Sequence, residues 1–426
     1  MRVEPAARVD GHIGVPGDKS LSHRALLIGA LAEGETRVSG FGRSGDTEAT
    51  LAAVRALGAE VVEQDVDSLL VAGVGLRGLR PPEAPIDCAN AGTLARLLTG
   101  MLSYQEGAFA LVGDASLSTR PMRRVIEPLE RMGARIESSE GRLPLRVEGR
   151  PLHGVDYTLP VASAQVKSAL LLAGLGAAGE TTVHEPIATR DHTELMLEAA
   201  GATIRRRPGS VSVVGGATLR LAEVEVPGDI SSAAPFLVLA ALLPGSQLTV
   251  HDLGLNPRRT GLLDVLERMG ARVAVFNRRR SAGETIGDVE VVAQPLVATR
   301  VEAAEVPRLV DELPLVALLG SFAHGTTEVV GAEELRAKES DRIETVTAAL
   351  RAVGVRIEAR PDGFAVRGVP TRLRGGAIDA CGDHRVAMLG AIAGLVSREG
   401  ARLEDAECVA VSFPGFFELL DSVVSR

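Results

Sequence analysis

The sequence predicts an α/β protein made of six similar units of about 70 residues, arranged as two domains of three units each. Two recurring phrases and the spacing of their glycines lead to this prediction. The first phrase is an apolar helical run, then a glycine, then an alternating strand, and it occurs six times. Its glycines lie 66 to 80 residues apart, at Gly34, Gly107, Gly179, Gly245, Gly325 and Gly400.

A second phrase follows each of the first five glycines and predicts an amphipathic helix that stops at a glycine and runs into a strand. Its copies read VRALGAEVV, LERMGARIE, LEAAGATIR, LERMGARVA and LRAVGVRIE. Glycine directly after the last periodic residue is a common helix stop, because it adopts left-handed backbone at little cost. A further strand follows each copy, so each unit should hold two helices and mixed strands.

The two ends of the chain are predicted to meet. The sixth unit is incomplete at the C-terminus, and residues 1–20 resemble the segment that precedes the apolar helix in the other units. The similar phrases VPGDKS and VPGDIS mark the expected crossovers, near Pro16 and Pro227. They give a continuous domain, 17–227, and a discontinuous domain, 1–16 with 228–426.

Composition excludes several classes of protein. Apolar residues make up 46% of the chain and charged residues 24%, an ordinary globular balance. There is no long uncharged apolar run and no signal-like start, so we expect a cytoplasmic protein that does not engage a membrane. Three separated cysteines without a CxxC pair fit a reducing compartment and argue against a cysteine-based zinc site. A net charge of −9 with 3% aromatic residues supplies no general surface for nucleic acid.

Short polar phrases stand before the long apolar helices and carry the candidate binding residues. They read GDKS, NAGT, ASAQ, GDISS, VDELP and GDHR. Capping of the helix is the ordinary role of such residues. A helix start with a cation beside it, however, attracts phosphate and carboxylate groups. Cations in or near these phrases are Lys19, Arg24, Arg96, Lys167 and Arg385.

Two more cation clusters lie between the repeats. The phrase LSTRPMRR supplies Arg120, and RAKESDR supplies Lys338, Glu339 and Arg342. Lys338 and Arg342 are four residues apart and are predicted to share one helix face, although Glu339 could instead pair with Arg342 as a surface ion pair. Acids among these cations are candidate proton carriers, namely Asp311, Glu339, Asp341 and Asp383.

The quoted phrases also identify a family. GDKSLSHRALLIGAL, NAGTLARLL, STRPM, LRAKESDRIE, GDHRVAM and SFPGFFE resemble, in order and over essentially the whole chain, the 5-enolpyruvylshikimate-3-phosphate synthase family. The resemblance implies two similar domains, each of three βαβαββ units in an inside-out α/β barrel, with the active site in the cleft between them. It implies transfer of the enolpyruvyl group of phosphoenolpyruvate to the 5-hydroxyl of shikimate 3-phosphate, with release of phosphate, in aromatic amino-acid biosynthesis.

The resemblance implies a role for each matching residue. Asp311 resembles the base that orients and deprotonates the 5-hydroxyl, Glu339 the acid that protonates the methylene carbon, and Lys19 a lysine that touches both substrates. Residues implied to bind shikimate 3-phosphate are Lys19, Ser20, Arg24, Ser163, Ala164, Gln165, Arg190, Asp311 and Lys338. Residues implied to bind phosphoenolpyruvate are Lys19, Asn90, Gly92, Arg120, Gln165, Arg342, His384 and Arg385. No metal or other cofactor is implied, and we expect a monomer with no nucleic-acid partner.

The chain departs from the family pattern at three positions. Val411 stands where many members have a lysine, Ala164 replaces the second serine of a Ser-Ser-Gln loop, and Arg190 stands where other members use an aromatic residue. In this family glyphosate occupies the phosphoenolpyruvate site. Gly92 is expected to leave room for it, whereas Val411 is expected to weaken its binding.

Two other functions remain open at this point. A related UDP-N-acetylglucosamine enolpyruvyl transferase would share the fold and the donor, but that family has a loop cysteine five residues before the arginine matching Arg120, where this chain has Ala115. A non-enzymatic clamp of α/β repeats could instead grip DNA through electrostatics. It would need cations spread along the helices, whereas these cations gather at helix starts with acids among them.

Overall fold

The structure is a computed structural model that describes residues 1–426. It contains two compact units. Unit 1 consists of Met1–Pro16, Gly228–Arg279 and Thr285–Arg426, and unit 2 consists of Gly17–Pro227 and Arg280–Glu284. None of the helices combines the length and apolarity needed to cross a membrane.

Thirteen helices alternate with short strands along the chain. The α-helices are α1 Lys19–Leu31, α2 Gly45–Ala56, α3 Gly92–Leu102, α4 Ala115–Thr119, α5 Arg123–Arg131, α6 Ala164–Gly176, α7 His192–Ala199, α8 Ile230–Leu242, α9 Gly261–Met269, α10 Leu313–Phe322, α11 Arg342–Ala352, α12 His384–Leu395 and α13 Phe416–Val423. Three 3-10 helices span Val306–Arg308, Glu333–Ala337 and Ala406–Val411. All six predicted apolar helices are confirmed, each beginning within or directly beside its polar phrase.

The strands are short and mixed in direction. Those in the first half of the chain are β1 Arg2–Val3, β2 Arg8–Ile13, β3 Glu33–Ser39, β4 Glu60–Asp65, β5 Ser68–Val74, β6 Ile86–Asp87, β7 Ala108–Val112, β8 Arg135–Ser139, β9 Arg142–Glu148, β10 Leu152–His153, β11 Asp156–Thr158, β12 Ala177–Ala178, β13 Glu180–His184, β14 Ile204–Arg207, β15 Ser210–Val214 and β16 Glu223–Glu225. Those in the second half are β17 Gln247–Gly254, β18 Arg272–Ser281, β19 Glu284–Val292, β20 Arg300–Val301, β21 Thr326–Val329, β22 Arg356–Arg360, β23 Gly363–Arg367, β24 Gly376–Asp379, β25 Ala401–Glu404 and β26 Val424–Ser425.

The sheets repeat one strand pattern. Unit 2 has the four-stranded orders β16-β3-β5-β4, β6-β7-β9-β8 and β11-β13-β15-β14, and unit 1 has β20-β21-β23-β22 and, within a five-stranded sheet, β2-β17-β19-β18. In each, the first two strands pair in parallel and the second and third pair antiparallel. The predicted six-unit α/β fold is confirmed.

The sixth sheet shows how the chain ends meet. Strand β24 pairs in parallel with β25, and the N-terminal strand β1 pairs antiparallel with β25, with Arg2 opposite Arg402. The C-terminal strand β26 pairs antiparallel with β2. Both termini therefore complete sheets of unit 1, as the incomplete sixth repeat predicted.

The repeat glycines adopt the backbone that the sequence pattern demands. The five helix-stop glycines have φ between 93° and 104°, and the six glycines of the first phrase have φ between 75° and 113°. A side chain at such angles is strained, since the left-handed region is costly for residues other than glycine. Glycine at these positions therefore ends each helix and turns the chain into the next strand.

The core of each unit is built from three apolar helices. Helices α1, α3 and α6 carry the core of unit 2, and α8, α10 and α12 carry that of unit 1. Every residue of α8 is buried. A methyl group at Gly100 of α3 would lie 2.2 Å from the carbonyl oxygen of Ala169 in α6, so glycine lets these two backbones approach closely. Helices that are apolar on every side are stable only when surrounded by protein.

One motif used for the family resemblance packs rather than binds. In SFPGFFE, the rings of Phe413 and Phe416 lie 6.2 Å and 5.6 Å from the ring of Phe236 in α8. All three side chains are buried in the core of unit 1. This aromatic cluster anchors the C-terminal helix α13 to α8.

The tip of the β18–β19 hairpin differs from the expected division of the chain. Residues 228–426 were assigned to one domain, whereas Arg280–Glu284 group with unit 2. Within unit 2, His192 Nδ1 lies 2.6 Å from Glu284 Oε1, and the Glu225 N–H donates to Ser281 Oγ at 3.0 Å. The two long strands of the hairpin belong to unit 1, and only the residues at its tip group with unit 2.

Candidate active site

The polar phrases act as helix caps at four of the six predicted helix starts. The side chains of Asp18, Ser163, Asp229 and Asp383 accept backbone N–H bonds at the starts of α1, α6, α8 and α12. Helices α3 and α10 begin without a side-chain cap, after Ala91 and Glu312. Capping is therefore confirmed as a role of these polar residues. A role of the nearby cations in ligand binding has to be inferred from the contacts of each cation.

Lys19 occupies the first residue of α1 and is held by the neighbouring turn. Its Nζ lies 2.8 Å from Asp46 Oδ2, in the first turn of α2. The turn approaches closely because Gly17 and Gly42 have no side chains: a methyl group on Gly42 would lie 2.0 Å from the Gly17 carbonyl oxygen. Lys19 keeps about a quarter of its side chain exposed, so its ammonium can reach a ligand while one carboxylate orients it.

Arg24 lies one turn further along α1 and is almost wholly buried. It donates from Nη1 to the Ser20 carbonyl oxygen (2.8 Å), from Nη2 to Ser168 Oγ (3.0 Å) and from Nε to Thr193 Oγ1 (2.7 Å). The pKa of Arg24 is lowered to about 10, chiefly by burial; the charge of Glu194 opposes this shift, and the nearby charge of Arg190 adds to it. Arg24 thus stays cationic at neutral pH, and Arg190 brings a second positive charge near it.

A second group of unit 2 joins the starts of α3 and α6. Arg120 Nη2 donates to Asn90 Oδ1 at 2.6 Å, and Asn90 Nδ2 donates to Asp114 Oδ2 at 2.8 Å. Gln165 accepts from Arg96 Nη1 at 2.5 Å. A methyl group on Gly92 would lie 2.7 Å from Arg96 Nη1 and 3.6 Å from Arg120 Nη1, so the guanidinium groups sit directly against this glycine.

The predicted Ser-Ala-Gln loop lies at the start of α6. Ser163 caps the helix by accepting the Val166 N–H, and Ala164 is the first helical residue. Gln165 Nε2 donates to Thr93 Oγ1 at 3.0 Å, which ties this loop to the NAGT phrase. The structure therefore brings Gln165 beside the NAGT phrase and Arg96.

In unit 1 the centre of the predicted site is the Arg342 cluster, which comprises Arg342, Asp311, Glu339 and Asp383. Arg342 Nε lies 2.8 Å from Asp383 Oδ2, Nη2 lies 2.6 Å from Glu339 Oε2, and Nη1 lies 3.4 Å from Asp311 Oδ1. Burial opposes ionisation, yet Glu339 and Asp383 raise the pKa of Arg342 above its usual range. Burial would likewise raise the pKa of Asp383, but Arg342 lowers it below its ordinary value. One buried cation thus holds three carboxylates.

Lys338 reaches the same cluster by a route that the sequence did not predict. The expected shared helix face was wrong: α11 begins at Arg342, and Lys338 lies outside it, after the 3-10 helix Glu333–Ala337. Its Nζ instead lies 3.5 Å from Asp311 Oδ1. The Arg342–Glu339 pair does form, but Arg342 is 2% exposed and is not part of a surface ion pair. Asp311, not helix periodicity, brings Lys338 and Arg342 together.

The start of α12 lies against the same cluster. His384 and Arg385 are its first residues, and the Arg385 N–H donates to Asp383 Oδ1 at 2.9 Å. The Arg385 Nη1 donates to the carbonyl oxygen of Ser231 at 2.9 Å, at the start of α8. The three helix starts of unit 1 are thereby linked by side chains that the sequence had placed in separate repeats.

Arg259 and Glu312 form a buried ion pair in unit 1 that the sequence analysis did not predict. Arg259 Nη1 lies 3.0 Å from both carboxylate oxygens of Glu312, and its Nη2 contacts Ser231 Oγ. Glu312 directly precedes α10 and follows Asp311 in the chain. Arg259 lies in the loop between β17 and α9, and its burial and its partners reveal the role. Val411, where many family members have a lysine, is the exposed last residue of the 3-10 helix Ala406–Val411.

Two units of three α/β repeats, with arginines and lysines at helix starts and carboxylates among them, define an enzyme class that binds anionic substrates and moves protons. The residues form no group of three or more His, Cys, Asp or Glu side chains suited to a metal ion. The model of the family described as EPSP synthase (3-phosphoshikimate 1-carboxyvinyltransferase) matches residues 3–420. The chain belongs to this family.

Individual relatives agree with this assignment. The 3-phosphoshikimate 1-carboxyvinyltransferase of Geobacter sp. (strain M21) is 48% identical, with 100% of this chain and 99% of the relative covered. That of Alkalilimnicola ehrlichii is 50% identical over 98% of this chain and 94% of its own. The solved EPSP synthase of Acinetobacter baumannii is 41% identical with a TM-score of 0.90, covering 99% of this chain and 97% of that one. The enolpyruvyl transferase NikO of Streptomyces tendae, 21% identical, shares the fold with a TM-score of 0.79 over 99% and 96% of the two chains.

Proposed function

We propose that the residues predicted from the family resemblance bind shikimate 3-phosphate and phosphoenolpyruvate. The activity follows from the family: a 3-phosphoshikimate 1-carboxyvinyltransferase transfers the enolpyruvyl group to the 5-hydroxyl of shikimate 3-phosphate and releases phosphate. The observation that carries the proposal is the match of the family over residues 3–420 together with the cations gathered at the matching helix starts. Its cytoplasmic location, its monomeric state and the absence of a nucleic-acid partner stay predictions.

Shikimate 3-phosphate is assigned to Lys19, Ser20, Arg24, Ser163, Ala164, Gln165, Arg190, Asp311 and Lys338. Its phosphate is a dianion near neutral pH and needs fixed donors. Arg24 and Arg190 are two positive charges close enough to influence each other, so a phosphate dianion bound near both would be attracted by both. Ser163, at the start of α6, adds a hydroxyl and free helix N–H groups.

Phosphoenolpyruvate is assigned to Lys19, Asn90, Gly92, Arg120, Gln165, Arg342, His384 and Arg385. It carries a carboxylate and a phosphate, so it needs cations on more than one side. Gly92 lies against Arg120 without a side chain in the way, and Arg342 offers a buried, permanently charged fork. Several fixed cations offset the repulsion between two anionic substrates and hold the hydroxyl near the carbon it attacks.

The chemistry requires one proton to leave oxygen and one to reach carbon. In the addition step the 5-hydroxyl oxygen bonds to C2 of phosphoenolpyruvate, its proton passes to Asp311, and Glu339 protonates C3. In the elimination step C3 returns a proton to the Glu339 carboxylate and the C2–O bond to phosphate breaks, which restores the C2–C3 double bond; the departing phosphate takes up the proton held by Asp311. Asp311 Oδ1 lies between Lys338 Nζ at 3.5 Å and Arg342 Nη1 at 3.4 Å, so its charge is balanced by two cations. Glu339 is a separate carboxylate on the same arginine.

A phosphate-release assay tests the function directly. The protein is mixed with phosphoenolpyruvate and either shikimate 3-phosphate or UDP-N-acetylglucosamine as the acceptor. Turnover with the first acceptor alone is expected, and turnover with only the nucleotide sugar would contradict the proposal. Retention on duplex DNA at moderate salt without phosphate release from either acceptor would favour the clamp instead; no observation favours either alternative.

A further inference from the structure

Lys167 is a fully buried lysine whose function the assigned sites do not explain. It lies in the first turns of α6, and its side chain is 0% exposed. Its Nζ lies 2.7 Å from Glu194 Oε1, 3.0 Å from Glu185 Oε2 and 3.5 Å from the Thr189 carbonyl oxygen. An ammonium has three N–H donors, and here three acceptors surround it. These residues, Lys167, Glu185, Thr189 and Glu194, form the Lys167 cluster.

The cluster fixes the segment that carries Arg190. Glu185 Oε2 accepts the Thr189 N–H at 3.0 Å and the Thr189 hydroxyl at 2.7 Å, so it closes the chain from 185 to 189 into a tight loop. Burial would raise the pKa of Glu185, but the charge of Lys167 and the bonds from Thr189 hold it below its ordinary value. The carboxylate is thus an ionised anchor for this loop, and Arg190 is the residue directly after Thr189.

The cluster also reaches Arg24. Glu194 is next to Thr193 in the first turn of α7, and Thr193 Oγ1 accepts from Arg24 Nε at 2.7 Å. Ser168 is next to Lys167 in α6, and its hydroxyl accepts from both Arg24 Nη2 at 3.0 Å and Thr193 Oγ1 at 2.7 Å. Two neighbours of the cluster therefore hold two of the three nitrogens of Arg24.

We propose that Lys167 is a positioning residue for shikimate 3-phosphate, which acts through Glu185 on Arg190 and through Glu194 and Ser168 on Arg24. This rests on the proposed assignment of Arg24 and Arg190 to that substrate. The Lys167 ammonium is already surrounded by three protein acceptors, so the cluster acts by setting the spacing of the two guanidinium groups that would bind the phosphate. A guanidinium group that is displaced from this position loses charge-assisted hydrogen bonds to the phosphate.

The identity of the residue supports this role. The chain has 46 basic residues, of which lysine supplies only Lys19, Lys167 and Lys338. Arginine spreads its donors around a wide planar guanidinium, as Arg342 does among its three carboxylates, whereas a compact ammonium directs three N–H groups from one nitrogen atom. The site inside the cluster needs the second geometry, because its acceptors come from α7, from Glu185 and from the loop backbone.

The test compares shikimate 3-phosphate binding with phosphoenolpyruvate binding. Lys167→Met alone leaves two buried carboxylates without their cation and is expected to destabilise the fold, so the decisive variant is the triple change Lys167→Met, Glu185→Gln and Glu194→Gln, which removes the ammonium together with both of its carboxylates. We expect its KM for shikimate 3-phosphate to rise about tenfold or more, with its KM for phosphoenolpyruvate within about twofold of wild type. Calorimetric titration with shikimate 3-phosphate alone should show the same loss in Kd.

A matched control separates positioning from general stability. Arg77 donates to the carbonyl oxygen of Gly176, at the other end of α6, and to that of Tyr104. Arg77→Met should lower the melting temperature while leaving both KM values unchanged. Equal rises in the two KM values, or no change in a folded triple variant, would overturn the proposal. Wild-type protein that releases no phosphate from the two substrates would instead refute the proposed function.

Discussion

The Arg342 cluster of unit 1 and the Lys167 cluster of unit 2 are built from the same kinds of ions but differ in what can reach them. In the first, Asp311 and Glu339 keep 18% and 25% of their side chains exposed around an arginine that is 2% exposed. In the second, Glu185 and Glu194 are 6% and 3% exposed around a wholly buried lysine. Carboxylates that remain accessible can exchange protons with a substrate, whereas enclosed ones can only position other residues.

The cation at the centre of each cluster matches that difference. Arg342 spreads its three nitrogens among three carboxylates, of which Asp311 and Glu339 are partly exposed and Asp383 is buried. The acceptors of Lys167 all contact one nitrogen atom, its buried Nζ. The Arg259–Glu312 pair of unit 1 resembles the second arrangement, since both partners are buried and Glu312 is next to Asp311. Each unit thus has a buried ion pair or cluster with one member next in the chain to a proposed substrate-binding residue.

The largest expected effect tests one contacting residue from each unit. Asp311→Ala removes the proposed base and Lys19→Met removes the cation shared by both substrates, so each should lower kcat by about 10³-fold or more in the phosphate-release assay. Melting temperatures should stay close to wild type because both side chains are partly exposed. Asp421→Ala, which removes only an exposed partner of Arg426, is the control. A near-normal rate in either variant would remove that residue from the mechanism.

A smaller loss of activity is expected when the guanidinium group of Arg342 is replaced by an ammonium group, which keeps the positive charge. Arg342→Lys offers one point charge where three carboxylates are held, so kcat/KM for phosphoenolpyruvate should fall about 100-fold. Arg351→Lys serves as the control in the same helix, because Arg351 donates only to the Ile357 carbonyl oxygen. Equal losses in the two variants would mean that helix α11, not the fork, is responsible.

Gly92→Ala tests the close approach of the Arg96 and Arg120 guanidinium groups to the start of α3 in unit 2. The added methyl group would lie 2.7 Å from Arg96 Nη1, which must then shift toward the space proposed for phosphoenolpyruvate. We expect KM for phosphoenolpyruvate to rise about tenfold, and inhibition by glyphosate, expected to compete for the same space, to weaken at least as much. Gly45→Ala, at the matching first position of α2 where a methyl group meets nothing, should leave both unchanged. Unaltered KM and inhibition in Gly92→Ala would show that this glycine does not border the ligand.

The smallest expected effect concerns a buried histidine between the two cations of α1. His23 Nδ1 lies 2.6 Å from Thr50 Oγ1, and burial lowers the pKa of His23 to about 3, with Lys19 and Arg24 adding to the fall despite Asp46. The unfolded chain takes up a proton near pH 6.5 that the folded chain refuses, so stability falls as pH drops through 6.5 toward 3.

Urea unfolding at about pH 7.5 and about pH 5.5 measures this term. Wild type should lose roughly 1 kcal/mol more than His23→Asn between these two conditions, because asparagine retains a hydrogen bond to Thr50 but does not titrate. Identical losses in the two proteins would show that His23 carries its proton in the folded state. The titration of all other groups is common to both proteins and cancels in the difference.

Much of the site could be predicted because its residues sit in repeated phrases. Lys19, Gly92, Gln165 and Arg385 lie at the helix starts that the repeat defines, and the structure places each within one turn of its expected position. Lys338 was identified for the wrong reason, because helix periodicity was assumed across a boundary that lies at Arg342. Arg259 and Glu312 were missed as a pair, since residues 53 apart give no local signal of contact.

The sequence by itself determined the six repeats, the meeting of the chain ends and the identity of the cations at the helix starts. It did so because helix periodicity, helix stops and strand alternation are local properties of the chain, and each repeat shows them. Only the tertiary structure decided which carboxylates are enclosed and which stay accessible, and therefore why Lys167 differs from Lys19 and Lys338. Burial and ion pairing arise between residues far apart in the chain, and no local pattern records them.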